Sequence, residues 1–458
     1  MKTPICDFIQ SYCRSGALRL HMPGHKGQHF TGAEPEDITE INGADSLYES
    51  VGIIQESERH ASALFGTAAT LYSTEGSSQG IRAMLYLARL YAQREGKEPR
   101  ILAARNVHKT FITAVGLLDM EIDWLSSESN GSYLSCVPSL SELEYLLQRK
   151  QYPALYVTSP DYLGNLAPID SLAQLCHRYG TLLLVDNAHG AYLKFLPSSA
   201  HPMDLGADLC CDSAHKTLPA LTGAAYLHLS ERAPTWMAEE AKNAMALFGS
   251  TSPSYLILQS LDRLNAYLTD GYAEKLAGFL PQAAAFREKW AKKGYQFLGN
   301  EPMKLTLATK SVGYQGQEFA ALLEERHIVC EFSDPDYVVL MLSCELGGEG
   351  LSKLSAALNT IERKEPILTK PPKLSLPERV TSVRNAIFSA SEWVPTEEAC
   401  GRILAALTLS CPPAVPIAVC GERIDENALA LFRYYGIQRC RVMCEESSIF
   451  PNKRTVAL

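Results

Sequence analysis

Between residues 67 and 230 the chain alternates short apolar runs with amphipathic stretches, and this rhythm restricts the fold more than any other feature. The runs at 101–104 (Ile-Leu-Ala-Ala), 154–157 (Ala-Leu-Tyr-Val) and 182–185 (Leu-Leu-Leu-Val) are apolar at every position. A strand with one wet face alternates polar and apolar residues, whereas one that is apolar throughout is covered on both faces. Between the last two runs, Leu172, Leu175, Cys176 and Tyr179 recur at the i, i+3, i+4, i+7 spacing of a helical face. Asp170 is placed to cap that helix and Gly180 to end it. A second helix opens at Ser139, with Glu142 three residues on as its capping-box partner. Strand and helix in repetition predict a mostly parallel sheet with helices on both sides.

The composition changes further on. Residues 317–327 read as a helix, 327–333 and 337–343 as a pair of strands, and 351–364 as another helix, which together make a smaller α/β unit. Pro366, Pro371, Pro372 and Pro377 mark a connector. A last segment, about 380–458, carries a predicted helix near 397–409 and then Cys411-Pro412-Pro413. The expected division is an N-terminal arm over 1–30, a large domain over 31–265, a small α/β domain over 266–365 and a C-terminal segment over 366–458. At 458 residues the chain is about three times the usual 150-residue domain, which accommodates that division.

Charge and cysteine usage exclude several function classes. Lys+Arg is 42 and Asp+Glu is 51, a formal net charge of −9, and no basic run stands out. Nucleic acid and anionic membranes are therefore poor partners, while a cationic small molecule is a welcome one. No stretch approaches the ~20 apolar residues of a membrane span, and the first residues lack the pattern of a signal peptide. The 13 cysteines are scattered without a CxxC pair. That argues against a zinc site or a disulfide framework and for reduced thiols in the cytoplasm. No metal is expected.

Four local features describe one ligand. Ser213-Ala214-His215-Lys216-Thr217 lies just past the run at 207–211. A lysine in such a loop is ordinarily a solvated one. The run at 182–185, however, ends in Asp186, a carboxylate at the edge of the sheet where ligands gather in open α/β folds. Buried there, it needs a cationic partner. Gly76-Ser77-Ser78-Gln79-Gly80 precedes a helical stretch, and small residues at a helix N-terminus suit a phosphate. Arg105-Asn106-Val107-His108-Lys109 follows the run at 101–104, which places His108 at the same edge. A phosphate site, a carboxylate for a pyridinium, a flat imidazole and a Schiff-base lysine together fit pyridoxal 5′-phosphate (PLP).

The order of these motifs resembles the bacterial ornithine/lysine/arginine decarboxylase family, PLP enzymes of fold type I, the aspartate-aminotransferase-like fold. The resemblance begins at His21-Met22-Pro23-Gly24-His25-Lys26-Gly27 and continues through Asp37-Ile38-Thr39-Glu40, Ala44-Asp45-Ser46-Leu47 and the phosphate loop. It runs on through the His108, Asp186 and Lys216 motifs, Ser250-Thr251-Ser252-Pro253-Ser254-Tyr255 and Gly401-Arg402-Ile403, ending near Pro412-Pro413 and Gly421-Glu422. It implies Lys216 as the Schiff-base lysine, Asp186 as the pyridinium partner and His108 as the stacking residue. Gly76, Ser77, Ser78, Ser213 and His215 match the phosphate-holding stretch, and Ala188 and His189 lie beside the ring. Thr251 or Ser250 matches a stretch that reaches the neighbouring subunit's cofactor, which implies at least a homodimer. Asp45, Glu331 and Asp334 are candidate partners for the basic side chain of a substrate. The implied catalytic set is Lys216, His108, Asp186 and His215, and the reaction is decarboxylation of arginine, lysine or ornithine to a polyamine precursor.

The sequence departs from the family at Asn187, Ser78, Gly223, Ser46/Tyr48 and Cys411/Ala414, and none of these removes a cofactor-holding group. An aminotransferase or a Cα–Cβ lyase shares the same cofactor, and a non-catalytic regulatory paralogue shares the fold. The presence of both Lys216 and Asp186 weighs against the paralogue.

Overall fold

A computed structural model of the chain describes residues 1–125, 137–373, 375–410 and 416–444. Strands β1 (Ala69–Ser73), β2 (Arg100–Ala104), β3 (Glu121–Leu125), β4 (Ala154–Thr158), β5 (Leu182–Asp186), β6 (Leu209–Asp212) and β7 (Ala225–Leu229) form a seven-stranded sheet ordered β1-β7-β6-β5-β4-β2-β3. β7 is antiparallel to both neighbours, and the other pairings are parallel. Side chains of a strand point to alternate faces, and both faces are covered. Ile101 and Ala103 pack with α3 (Ser77–Arg94) and α4 (Lys109–Leu117) on one side. Leu102, Leu155, Leu183 and Val185 pack with α5 (Leu140–Arg149) and α6 (Ile169–Arg178) on the other. Leu183 is fully buried there, so its truncation to alanine costs about 2–5 kcal/mol.

Helix ends follow the expected chemistry in part. Gly180 has φ 62°, its N–H bonds the His177 carbonyl and the Thr181 N–H bonds that of Cys176, a Schellman stop for α6. Asp170 is not the cap. Pro168, with φ −77°, starts the helix two residues earlier, and Asp170 lies in the first turn, where its charge favours the helix dipole. Ser139 does occupy the cap position of α5, but its hydroxyl pairs with the Ser141 hydroxyl at 2.9 Å and makes no cap bond to the helix backbone.

Two helices precede the sheet, α1 (Pro4–Arg14) and α2 (Ile53–Phe65). After β6 come α7 (Ala214–Thr217), α8 (Thr235–Ala246), α9 (Tyr255–Thr269) and α10 (Tyr272–Lys292). The smaller unit is an antiparallel sheet of β8 (Phe297–Leu298), β9 (Lys304–Ala308), β10 (Phe332–Ser333) and β11 (Tyr337–Met341), ordered β10-β11-β9-β8. It packs with α11 (Gly316–Glu324) and α12 (Gly347–Asn359). The strand expected over 327–333 is confined to its last two residues, because His327, at φ 58°, turns the chain sharply after α11.

The C-terminal segment holds α13 (Val383–Phe388), β12 (Ser391–Pro395), β13 (Thr408–Ser410), β14 (Pro416–Val419), α14 (Glu426–Tyr434) and β15 (Arg439–Met443). The helix expected near 397–409 does not form. A single 3₁₀ turn at Thr396–Glu398 reaches Gly401 at φ 78°, and Ile403 and Leu404 then bridge Arg423 and Val442. Cys411-Pro412-Pro413 lies outside the described residues. A buried ion pair fastens this segment to the large sheet. Arg105, just past β2, grips Glu422 through both guanidinium ends at 2.7 and 2.8 Å and donates to the Pro416 and Ile417 carbonyls.

Candidate active site

Strands β1, β2, β4, β5 and β6 point the same way, so the residues that follow them converge on one edge of the sheet, the usual ligand edge of such folds. A cavity of about 380 Å³ opens there. Gly76, Ser77, Ser78, His108, Asp186, Ala188, His189, Ser213, His215 and Lys216 all line it, together with Asn106, Thr158 and Tyr162.

Asp186, at the end of β5, is 2% exposed. It accepts from the Tyr156 hydroxyl at 3.0 Å, the Ala188 N–H at 3.2 Å and, weakly, the Cys211 thiol at 3.8 Å. These donors are neutral, and Asp186 has no ion-pair partner among the described residues. A buried carboxylate in that state wants a cation. Burial beside it pushes the Tyr156 hydroxyl well above its ordinary value, so that group stays a donor.

His108 caps α4, with its Nδ1 accepting from the Thr110 N–H at 3.3 Å and lying 2.9 Å from the Thr110 hydroxyl. That fixes the ring's orientation, and burial lowers its pKa, leaving a neutral imidazole. Gly76 precedes α3 at φ 70°, a backbone conformation glycine adopts readily. Ser213 donates to the Ser77 hydroxyl at 2.8 Å, and Ser78 meets Thr110 at 3.2 Å. Hydroxyls and the first N–H groups of α3 thus gather at one wall, a suitable cradle for an anion. His215 Nδ1 is fixed by the Ala224 carbonyl at 2.9 Å, and burial lowers its pKa too.

Lys216 Nζ lies 3.0 Å from His189 Nε2, and on the far side of the ring His189 Nδ1 lies 3.0 Å from Lys304 Nζ. Lys304 on β9 also donates to the Asp161 carbonyl at 3.0 Å. Burial lowers the pKa of both lysines, and burial with two flanking lysines drives His189 well below the ordinary histidine value.

Asn106 Oδ1 and Nδ2 and Thr158 Oγ1 are buried at the cavity without a hydrogen-bond partner among the described residues. Unpaired polar atoms here, a carboxylate with no ion-pair partner among the described residues at the floor and a hydroxyl-rich helix start fit a charged, aromatic, phosphorylated ligand such as PLP.

Other expected residues lie elsewhere. Thr251 and Ser250 are exposed and outside the cavity of their own chain. Asp45 serves the backbone instead of a ligand. Its carboxylate accepts N–H groups of Ser46, Val51, Gly52, Ile54 and Gln55 and so caps α2. Asp334 likewise accepts the N–H groups of Asp336 and Tyr337 at 2.7 Å and shapes the β10–β11 turn. Glu331 is exposed and accepts from the hydroxyl of Tyr162, a cavity residue, at 3.3 Å. Behind the floor, Asn187 donates to Asp212 at 2.7 Å, and the other carboxylate oxygen of Asp212 meets His201 and His228 at 2.9 and 3.2 Å. With Cys210 close by, these side chains form a hydrogen-bonded cluster wholly inside the fold. Sequence reasoning missed Tyr162, Asn106, Thr158 and Lys304. Asn106 stands two residues before His108 and could have been found from that motif, whereas Lys304 carries no local signal.

The pattern of the Orn/Lys/Arg decarboxylase major domain matches residues 3–300, and that of the family's C-terminal domain matches residues 369–444. The chain is 29% identical to the uncharacterized protein YaaO of Bacillus subtilis, over 94% of this chain and 93% of that one. It is 27% identical to an arginine decarboxylase of Halalkalibacterium halodurans, over 99% and 98%. The lysine decarboxylase LdcF of Francisella novicida superposes with a TM-score of 0.81 at 18% identity, covering 96% of this chain and 81% of that one, and so shares the fold. With both domain patterns matched in order, the chain belongs to the Orn/Lys/Arg decarboxylase family and is a PLP-dependent decarboxylase.

Proposed function

We propose that this protein removes the α-carboxylate of arginine, giving CO₂ and the corresponding amine, a polyamine precursor, in the cytoplasm. The observation that carries the reading is the cavity itself, with Asp186 lacking a cation at its floor, Lys216 lining it and the carboxylate of Glu331 linked to it through Tyr162. The full-length similarity to proteins named arginine decarboxylase supports arginine over lysine and ornithine. When bound, PLP supplies the electron sink for the bond pair released as CO₂ leaves.

The chain's own residues do the rest. Asp186 would hold a proton on the ring nitrogen, and the neutral ring of His108 would pack on its face. Ser77, Ser78, Ser213, His215 and the N–H groups after Gly76 would hold the phosphate, with Ala188 and His189 beside the ring. Lys216 would carry the cofactor covalently and later return a proton to the substrate carbon, and Glu331 would pair with the guanidinium. Thr251 would reach the cavity of a second copy, which makes the working form at least a homodimer. The exposed Leu18, Leu20, Met22, Phe30 and Val51 of the N-terminal region support such a contact.

The test offers arginine, lysine and ornithine together to the PLP-loaded protein and follows products by mass spectrometry, with Lys216→Ala alongside. The expected result is a single amine from arginine that the variant does not make. A different amine refutes the substrate, and keto-acid products with no amine refute the reaction.

A further inference from the structure

Lys304 has no part in holding the cofactor, yet it sits where it can act on the residue that does. It is 2% exposed and forms no ion pair among the described residues. An ammonium so placed is costly. Its neighbours across the small sheet and the loops are Glu301, Asp161, Glu331, Lys216 and His189. Lys216 in turn faces Asp186, Glu331 and the Cys211 thiol, and His108 and His215 flank His189.

The three side chains in line allow few protonation states. A neutral imidazole has one N–H and one lone pair, and an ammonium group can only donate. If His189 Nδ1 accepts from Lys304, its Nε2 donates, so Lys216 must present a lone pair as a neutral amine. If Nδ1 donates instead, Lys304 is the neutral amine and Lys216 can hold the proton. The two 3.0 Å contacts therefore admit one ammonium between the two lysines.

We propose that Lys304, His189 and Lys216 form a relay that shares one proton between two lysines, with Lys304 the positioning residue that discharges Lys216. The step balances: a proton leaves Lys304 Nζ for His189 Nδ1 while the Nε2 proton passes to Lys216 Nζ. The imidazole changes tautomer and one positive charge moves to Lys216. The proposal rests on the reading of Lys216 given above, since that residue needs a lone pair to attack a carbonyl and a proton to give to carbon. The relay provides both states, and solvent restores the proton that each turnover consumes.

The test uses the full chain without cofactor. Acetic anhydride labelling across pH, read peptide by peptide in the mass spectrometer, gives the titration midpoint of Lys216. The wild type is expected to titrate below the ordinary lysine value near 10.4. Lys304→Met should raise the midpoint by about one unit, a tenfold drop in labelling at fixed neutral pH. Lys304→Arg, whose charge is fixed, should leave it at or below the wild-type value. A packing role would move both variants the same way, and that result overturns the relay. An ordinary midpoint in the wild type overturns it as well. Should Lys304→Met fail to fold, the wild-type midpoint and Lys304→Arg still decide. Failure of the functional reading is separate and shows as no pyridoxyl adduct on Lys216 after borohydride reduction of the PLP-loaded protein.

Discussion

Replacing Glu422 by glutamine probes how the C-terminal segment supports the active site. Both members of the Arg105–Glu422 pair are nearly inaccessible, with side-chain exposures of 4% and 1%. Removing one member of a buried pair typically costs about 3–5 kcal/mol, because the survivor is left charged in a poor solvent. Glutamine keeps one oxygen, so the Val419 N–H and the guanidinium Nη2 donor, which share Oε2, can still be met. The Pro416 and Ile417 carbonyls and the Trp124 ring, 4.7 Å from the guanidinium carbon, remain in place. The expected loss is therefore at the lower end, about 3 kcal/mol. Urea unfolding of Glu422→Gln, Arg105→Met and Glu422→Leu, and of the double variant Arg105→Met/Glu422→Leu, measures it. The double variant should be at least about 2 kcal/mol better than the sum of its singles, since no charge is left behind. His108 follows Arg105 by three residues, so Glu422→Gln should also weaken PLP binding several-fold. Glu397→Gln, in an exposed pair with Arg433, should do neither. A loss under about 1 kcal/mol for Glu422→Gln, or additive singles, would refute the argument.

Asp45→Asn should lower stability by about 1–2 kcal/mol, as for a lost cap, without changing KM. Burial raises the Asp45 pKa, but the N–H groups of Val51, Gly52, Ser46 and Gln55 outweigh it and hold the carboxyl below its ordinary value. Its contribution is thus full above the unfolded value near 3.9 and fades as pH falls through the folded one, so wild type and variant should converge in melting temperature in strong acid. Glu331→Gln should raise KM for the basic substrate about tenfold while kcat falls by less than about threefold, and an unchanged KM would remove Glu331 from substrate binding. Asp186→Asn should give a more stable cofactor-free chain, since a buried unpaired charge is gone, and a kcat lower by at least about 100-fold. Melting without PLP and turnover with it read the two signs independently.

The large sheet was legible because each central strand is buried on both sides, which leaves an all-apolar run that no exposed strand shows. The site was legible for a related reason. Parallel strands deliver their following residues to one edge, so Asp186, His108 and Lys216 could be brought together once their runs were recognised as strands. Helix 397–409 failed because apolar spacing there competes with a left-handed Gly401 and with cross-strand partners far along the chain. Lys304 failed for the same kind of reason: 115 positions separate it from His189, and a lysine on a short strand reads as a solvated one until the small sheet is laid against the large.

Asp45, Asp334 and Glu331 show what separates a carboxylate used by the backbone from one left for a ligand. An aspartate is short enough for its oxygens to reach N–H groups a few residues on, and it does so wherever a turn or helix start leaves donors unpaired. Asp45 precedes the first turn of α2, and Asp334 opens a tight hairpin, so each carboxylate finds several such donors. Glu331 has one more methylene and stands at a bend just before β10, where its own N–H is taken by the Val339 carbonyl. Among the described residues its side chain accepts from the Tyr162 hydroxyl, and it is otherwise exposed with acceptor capacity to spare. Three acidic residues that look equivalent in sequence thus divide by whether unpaired backbone donors lie within reach, which is why Glu331 is the one proposed to pair with a cationic substrate.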